Sequence, residues 1–191
     1  MSETRDKRRR TDLDLFVLAL IDSGISTPYD LQKAADLSPG ATIPALQRLL
    51  EAGFVRQGKP GPRGRTDHRI TAAGRKLLRT GWRDLIEGGP SGDLDADLRV
   101  SLLALWIGGE RRLAADFLEQ SAARKLASLE TVEESHAPGS GSALADWYSR
   151  LRSGSAKAIL KAESAAATAM SAALPRNLRG RPRPTRGSNR H

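Results

Sequence analysis

The stretch from Leu37 to Leu78, LSPGATIPALQRLLEAGFVRQGKPGPRGRTDHRITAAGRKLL, decides how the rest of the chain is read. Ser38-Pro39-Gly40 opens a short helix that stops at Gly53. Ile43, Leu46, Leu49 and Leu50 fall on one side of it and are expected to face inward. At 100° per residue, Ala41, Pro44 and Arg48 lie opposite, with Ala45 and Glu51 at the margins. That outward face is slim, since three of its five residues are small or ring-compact. Pro44 cannot donate a helical hydrogen bond, so regular helix is expected from near Thr42, after a tight or 3₁₀-like first turn. Phe54 to Gln57 reads as a strand and Asp67 to Ile70 as its return. The Lys59–Arg65 loop between them, KPGPRGR, cannot be helical. Thr71 then caps another helix. Helix, basic hairpin and capped helix in that order describe a winged helix-turn-helix.

Upstream, Thr11 or Asp12 caps a helix with Leu13, Phe16, Val17, Leu20 and Ile21 on one stripe, ending at Gly24. Thr27-Pro28 caps a second short helix, in which Tyr29, Leu31 and Ala35 are the expected inward contacts. Downstream, Gly88-Gly89-Pro90-Ser91-Gly92 is the clearest boundary. After it Asp93 caps a helix whose second half is apolar almost all round, as buried helices are. A long helix from Glu110 to about Ser135 follows, then APGSGS, then a last helix to about Ala173. A kink or fraying is expected near Gly154. Two long helices joined by six residues should form an antiparallel hairpin.

The fold class expected is mainly α with a small β-hairpin, in four parts. Residues 1–10 are a disordered basic arm and 11–87 a winged helix-turn-helix domain. Residues 93–174 form a helical dimerisation domain and 175–191 a disordered Arg-rich tail.

Charge follows the same division. Residues 1–84 hold 16 Lys/Arg against 10 Asp/Glu, a net +6. Residues 85–174 hold 9 against 12, a net −3, and residues 175–191 hold 6 Arg and no acid. Between Arg56 and Arg83 there are nine Lys/Arg and a single acid, Asp67. A polyanion-binding module joined to a near-neutral assembly module has this pattern. With no cysteine and three scattered histidines, the chain has no disulfide framework and no evident metal site. No run of apolar residues is long enough to span a membrane. Arg8–Arg10 precede an apolar segment broken by Asp12, Asp14 and Asp22, which does not read as a secretory signal. A cytoplasmic, nucleoid-associated protein is the expectation.

No nucleophile elbow, phosphate loop or carboxylate pair stands out, so the chain does not read as an enzyme and calls for no cofactor. Gly58–Gly64 lacks a Gly-Lys-Ser/Thr ending, and no helix N-terminus follows it. The residues expected to meet double-stranded DNA are Ser38, Ala41, Thr42, Pro44, Ala45 and Arg48 on the helix, with Lys59, Arg63 and Arg65 at the wing tip.

The run Ile43-Pro44-Ala45-Leu46-Gln47-Arg48-Leu49, followed by Gly53-Phe54-Val55, resembles the recognition-helix signature of PadR-like transcriptional regulators. In that family a Tyr-Pro-Ala-Leu-x-Arg-Leu-x-x-x-Gly-Leu-Ile run is usual. Tyr29-Asp30-Leu31 is similar to the end of the family's Gly-Tyr-Glu-Leu element. Arg69-Ile70-Thr71-Ala72-Ala73-Gly74-Arg75 is similar to its Tyr-x-Leu-Thr-x-x-Gly-Arg segment. Ile43, Pro28 and His68 depart from the pattern, and MarR regulators are the sibling reading. The resemblance implies a homodimer on a palindromic operator, usually repressing, often relieved by a small-molecule effector near the dimer interface. Trp106, Trp147 and Tyr148 are the aromatic candidates for that pocket, with core or interface as the alternative. The other readings of the same cations are a protein-interaction module and a non-sequence-specific architectural protein. If the tail acts through phosphates alone, deleting residues 175–191 weakens binding to operator and random duplex equally. It should also flatten the salt dependence by about 0.9 in log–log slope per lost contact, as a gel-shift series in salt would record.

Overall fold

A computed structural model of the chain describes residues 11–60, 66–134 and 143–176. The arm at 1–10, the wing tip at 61–65 and the tail beyond residue 176 lie outside the described residues, and so does the APGSGS link.

Helix α1 (Asp12–Asp22) starts from a capping box: Thr11 Oγ1 accepts from the Asp14 amide, and the Asp14 carboxylate accepts from the Thr11 amide. Leu15, Val17, Leu18 and Ile21 are buried. Helix α2 (Pro28–Ala35) has Thr27 as its cap and Pro28 at its first position. Tyr29 departs from expectation. It is 61% exposed, because the first turn of α2 points it away from the core that Leu31 enters.

Helix α3 (Pro39–Glu51) is helical from its first proline. Its opening turn is tightened: the Ser38 carbonyl accepts from both the Ala41 and Thr42 amides, at 3.1 and 3.0 Å. Pro44 then leaves the Gly40 carbonyl without its usual donor, on the exposed side, where water can reach it. The inward set is Thr42, Ala45, Leu46 and Leu49. The helix is therefore rotated by about one residue from the phase that Ile43 and Leu50 suggest, and Ile43 is 46% exposed.

Strands β1 (Val55–Pro60) and β2 (Thr66–Ile70) form an antiparallel hairpin in which Val55 faces Ile70 and Arg56 faces Arg69. The buried His68 ties β2 to the loop after α1: its amide and the carbonyl of Ser26 meet at 2.7 Å, with Nδ1 3.2 Å from the same oxygen. Helix α4 (Ala72–Glu87) is capped by Thr71, whose hydroxyl also donates to the Gly53 and Phe54 carbonyls. A Cβ on Gly74 would run into the Phe54 carbonyl oxygen and come within 2.8 Å of Ile70. The glycine lets α4 lie directly on the hairpin.

Helix α5 (Leu94–Leu103) runs on into a π-helical turn, Ala104–Gly108. Helices α6 (Arg111–Glu134) and α7 (Ala143–Ala173) pack antiparallel. Lys125 meets Glu163 at 2.6 Å, the Ser164 hydroxyl donates to the Ala122 carbonyl, and Arg111 donates to the Leu174 carbonyl. Helix α7 runs unbroken through Gly154. Gly88–Gly92 is a loop, yet the core crosses it. Trp82, Leu103, Leu105, Leu118 and Leu174 belong to one cluster with Leu15 and Leu18.

Replacing glycine by alanine inside a helix ordinarily stabilises by roughly 1 kcal/mol. For Gly74→Ala the sign should reverse, with a loss of about 1–3 kcal/mol from overpacking against Phe54 and Ile70. Thermal or denaturant unfolding of the variant measures this directly.

Candidate nucleic-acid interface

On α3 the exposed face is made by Ile43, Pro44, Gln47, Arg48 and Glu51. Thr42 and Ala45, expected on that face, are both 0% exposed. Their small side chains let α3 sit close to α1, and the Thr42 hydroxyl is satisfied by the Ser38 carbonyl at 2.9 Å. Neither side chain is available to a ligand. Ala41 is half-buried, and the exposed Ser38 spends its hydroxyl capping the helix through the Ala41 amide at 3.2 Å. Pro44 is exposed as expected.

Arg48 is on the surface but does not project freely. Its Nε donates to both oxygens of Asp14, at 3.1 and 3.2 Å, and Nη2 donates to Oδ1 at 2.6 Å. The guanidinium is 42% exposed and the carboxylate only 9%. Hydrogen bonding to Asp14 raises the Arg48 pKa above its ordinary value, against the opposing effect of burial. A fork-on-carboxylate pair of this kind fixes orientation as well as charge.

The hairpin beside α3 has an arrangement that the strand pattern alone did not disclose. Arg56 and Arg69 are directly opposed across the ladder, and both are exposed. Like charges at opposed positions destabilise a hairpin. Neither arginine has an acidic partner among the described residues. Further along, α4 exposes Arg75, Lys76, Arg79 and Arg83. Arg75 approaches Asp22 at 3.8 Å, and Arg83 stacks 4.6 Å from the Trp82 ring centre. Arg63, Arg65 and the side chain of Lys59 lie outside the described residues.

No family model matches the chain, and no curated protein does. Among solved structures, the crystal structure of Bacillus subtilis PadR in complex with operator DNA aligns with 84% of this chain and 97% of that one. The identity is 20% and the TM-score 0.34. A superposition that loose decides nothing about this chain, whose own residues must carry the reading.

The aromatic candidates are not brought together. Trp106 sits in the π-helical turn next to the start of α6, beside Phe16 and Leu20 of α1. Trp147 is at the opposite end of the hairpin, roughly 40 Å of helix from Leu174. There it is exposed and stacked 4.8 Å from the Arg150 guanidinium. The Tyr148 side chain lies outside the described residues. What the described residues offer instead is a cleft of about 830 Å³ between α1 and α4 on one side and α5 and α6 on the other. Leu15, Leu77, Val100 and Phe117 line its floor, and Asp12, Asp84 and Arg124 stand among its polar groups. Residues Gly88–Ser91 form part of its rim.

Tyr29 and Ile43, expected inside, and Gln47, Arg56 and Arg69, not singled out, thus join the surface. The opposition of Arg56 and Arg69 needed the observed pairing of Val55 with Ile70, which the strand pattern of either segment does not give by itself.

The Asp14 bridge determines what Arg48→Ala does. Truncation leaves a nearly buried carboxylate without its partner and should cost about 1.5–3 kcal/mol of stability. Binding to operator and random duplex should then fall together. An unchanged melting temperature with loss confined to operator would show Arg48 reading bases directly.

Proposed function

We propose that this chain is a DNA-binding transcriptional regulator, a binding protein rather than an enzyme. It acts as a homodimer on a palindromic operator, represses, and is relieved by a small-molecule effector. The observation that carries DNA as partner is the pair Arg56 and Arg69, opposed and exposed beside the slim face of α3. Two cations held opposite one another at a cost to the hairpin become favourable when phosphates lie across them and counterions are released. Arg75, Lys76 and Arg79 extend the same basic surface, and the Tyr29 phenol is free to donate to a phosphate. In this reading α3 enters the major groove, the wing follows the flanking backbone, and the residue 1–10 and 175–191 segments add sequence-independent affinity.

Support for a second copy comes from the hairpin. Leu126 on α6, with Trp147, Leu151 and Ile159 on α7, is a set of large apolar side chains left to solvent in one chain. An apolar groove of about 230 Å³ between α1 and α5, floored by Phe16, Leu20, Leu102 and Trp106, adds to it. Apolar patches of this kind mark interaction surfaces, and a symmetric dimer is the commonest solution.

The cleft between α1/α4 and α5/α6 is the space we assign to the effector. Asp12 on its wall holds Arg99 of α5 at 2.6 Å, and two residues further along α1 Asp14 holds Arg48 of α3. A ligand that separates these helices acts on both links at once. Cytoplasmic, nucleoid-associated residence follows from this role. Among the described residues, no helix is long and apolar enough to cross a membrane.

Genome-wide selection of bound DNA with the full chain tests the regulator. The expected result is an inverted repeat with half-sites about 10 base pairs, or a multiple of that, from centre to centre. It should be bound at least about 10³-fold more tightly than random duplex at physiological salt. Binding without an enriched motif would instead make the protein an architectural one.

A further inference from the structure

The exposed face of α3 contains a side chain that the fold has no reason to leave there. Ile43 is large and apolar and is 46% exposed, while the inward positions next to it hold the smaller Thr42 and Ala45. Thr42 even requires a hydrogen bond to Ser38 in order to be buried. The helix keeps a small, partly polar pair inside and a branched aliphatic outside.

Its neighbours narrow what Ile43 can meet. Arg48, the only cation on that face, is turned back onto Asp14. Pro44 has no N–H, and its compact ring lets the helix approach closely. Glu51 stands at the end of the helix and is repelled by phosphates. Gln47 remains, exposed and able both to donate and to accept. It lies four residues after Ile43, so the two side chains are neighbours on one stripe, about 6 Å apart along the axis. That is close to the span of two base-pair steps at about 3.4 Å each.

The major-groove edge of an A·T pair presents an acceptor beside a donor on adenine, and a methyl group on thymine. A carboxamide matches the adenine N7 and N6 with both of its polar atoms, and a branched aliphatic covers the methyl. Guanine offers two adjacent acceptors, against which the Gln47 oxygen would be unpaired. We propose that Gln47 and Ile43 are the specificity-determining residues of the interface. They read A·T pairs two base-pair steps apart in each half-site, Gln47 the adenine of one and Ile43 the thymine methyl of the other, and Arg48 is a positioning residue that acts through Asp14. The assignment rests on the regulator reading and names the bases it recognises.

The test is selection from a random duplex library by the full-length wild type, Gln47→Ala and Ile43→Ala, with melting temperatures measured in parallel. Both positions are exposed, so folding should be unaffected. The wild-type motif should contain A·T pairs two steps apart. In Gln47→Ala, discrimination against G·C at the adenine position should fall from about tenfold or more to near unity, with the other positions unchanged. Replacing the thymine by deoxyuridine, which lacks only the methyl, should weaken the wild type several-fold and Ile43→Ala not at all. A wild-type motif whose every position survives both substitutions overturns the assignment and leaves the regulator standing. A wild-type library without any enriched motif overturns both.

Discussion

Arg48 folds back across the surface of α3 to place two nitrogens on the carboxylate of Asp14, and the presentation of that helix depends on this bridge. Asp14 is nearly buried and also belongs to the capping box of α1, so one carboxylate starts one helix and orients another. The guanidinium is half in water, which limits its desolvation cost, while its fork fixes the rotation of α3 about its own axis. With that rotation set, Thr42 and Ala45 go inward against α1, and Ile43 and Gln47 go outward. α1 has further ties of the same kind. Asp12 pairs with Arg99 of α5, and Asp22 approaches Arg75 of α4. An apolar helix with acids at both ends thereby joins the exposed face, the wing-side helix and the helical hairpin.

The other half of the molecule shares the one core, and side chains of α5 and α6 also hold the loop that leads to it. The buried carboxylate of Asp97 accepts from the Ser91 amide and hydroxyl and from the Ser121 hydroxyl. Arg124 donates to the Pro90 carbonyl, and Lys125 donates to the Gly92 carbonyl while paired with Glu163. A glycine-rich loop that sequence composition marks as a boundary is therefore held by three side chains of α5 and α6. Buried polar groups whose partners are all present favour one arrangement over its alternatives. The loop borders the cleft, so the side chains that hold it also shape that space.

The elements and their starts were legible because capping is local. Thr27, Thr71 and Asp93 each bond an amide two or three residues on, as does Thr11 through its capping box. The mainly α fold with one small hairpin followed from the same signals. The exposed face of α3 was not legible from residue size. Ranking by hydrophobicity places Ile43 inside, whereas the spacing i, i+3, i+4, i+7 is met by Thr42, Ala45, Leu46 and Leu49. Residue size alone therefore misplaces Ile43, and the Asp14–Arg48 bridge adds a tie between residues far apart in sequence that no pattern within α3 contains. Tyr29 escaped because α2, with 8 residues, is only about two turns long and gives too few apolar positions to fix its phase. Trp106 and Trp147 are both aromatic and both on helices, but the direction of the α6–α7 hairpin separates them.

In the proposed complex the face bearing Ile43 and Gln47 meets base edges and the α6–α7 hairpin does not. A photo-reactive amino acid placed at position 47, and in a separate sample at Ile159 on α7, tests it directly on a bound duplex. Adducts to bases, within the major groove, are expected from position 47 and none from position 159. Adducts from position 159 with none from position 47, or adducts from position 47 to the sugar-phosphate backbone alone, would contradict it.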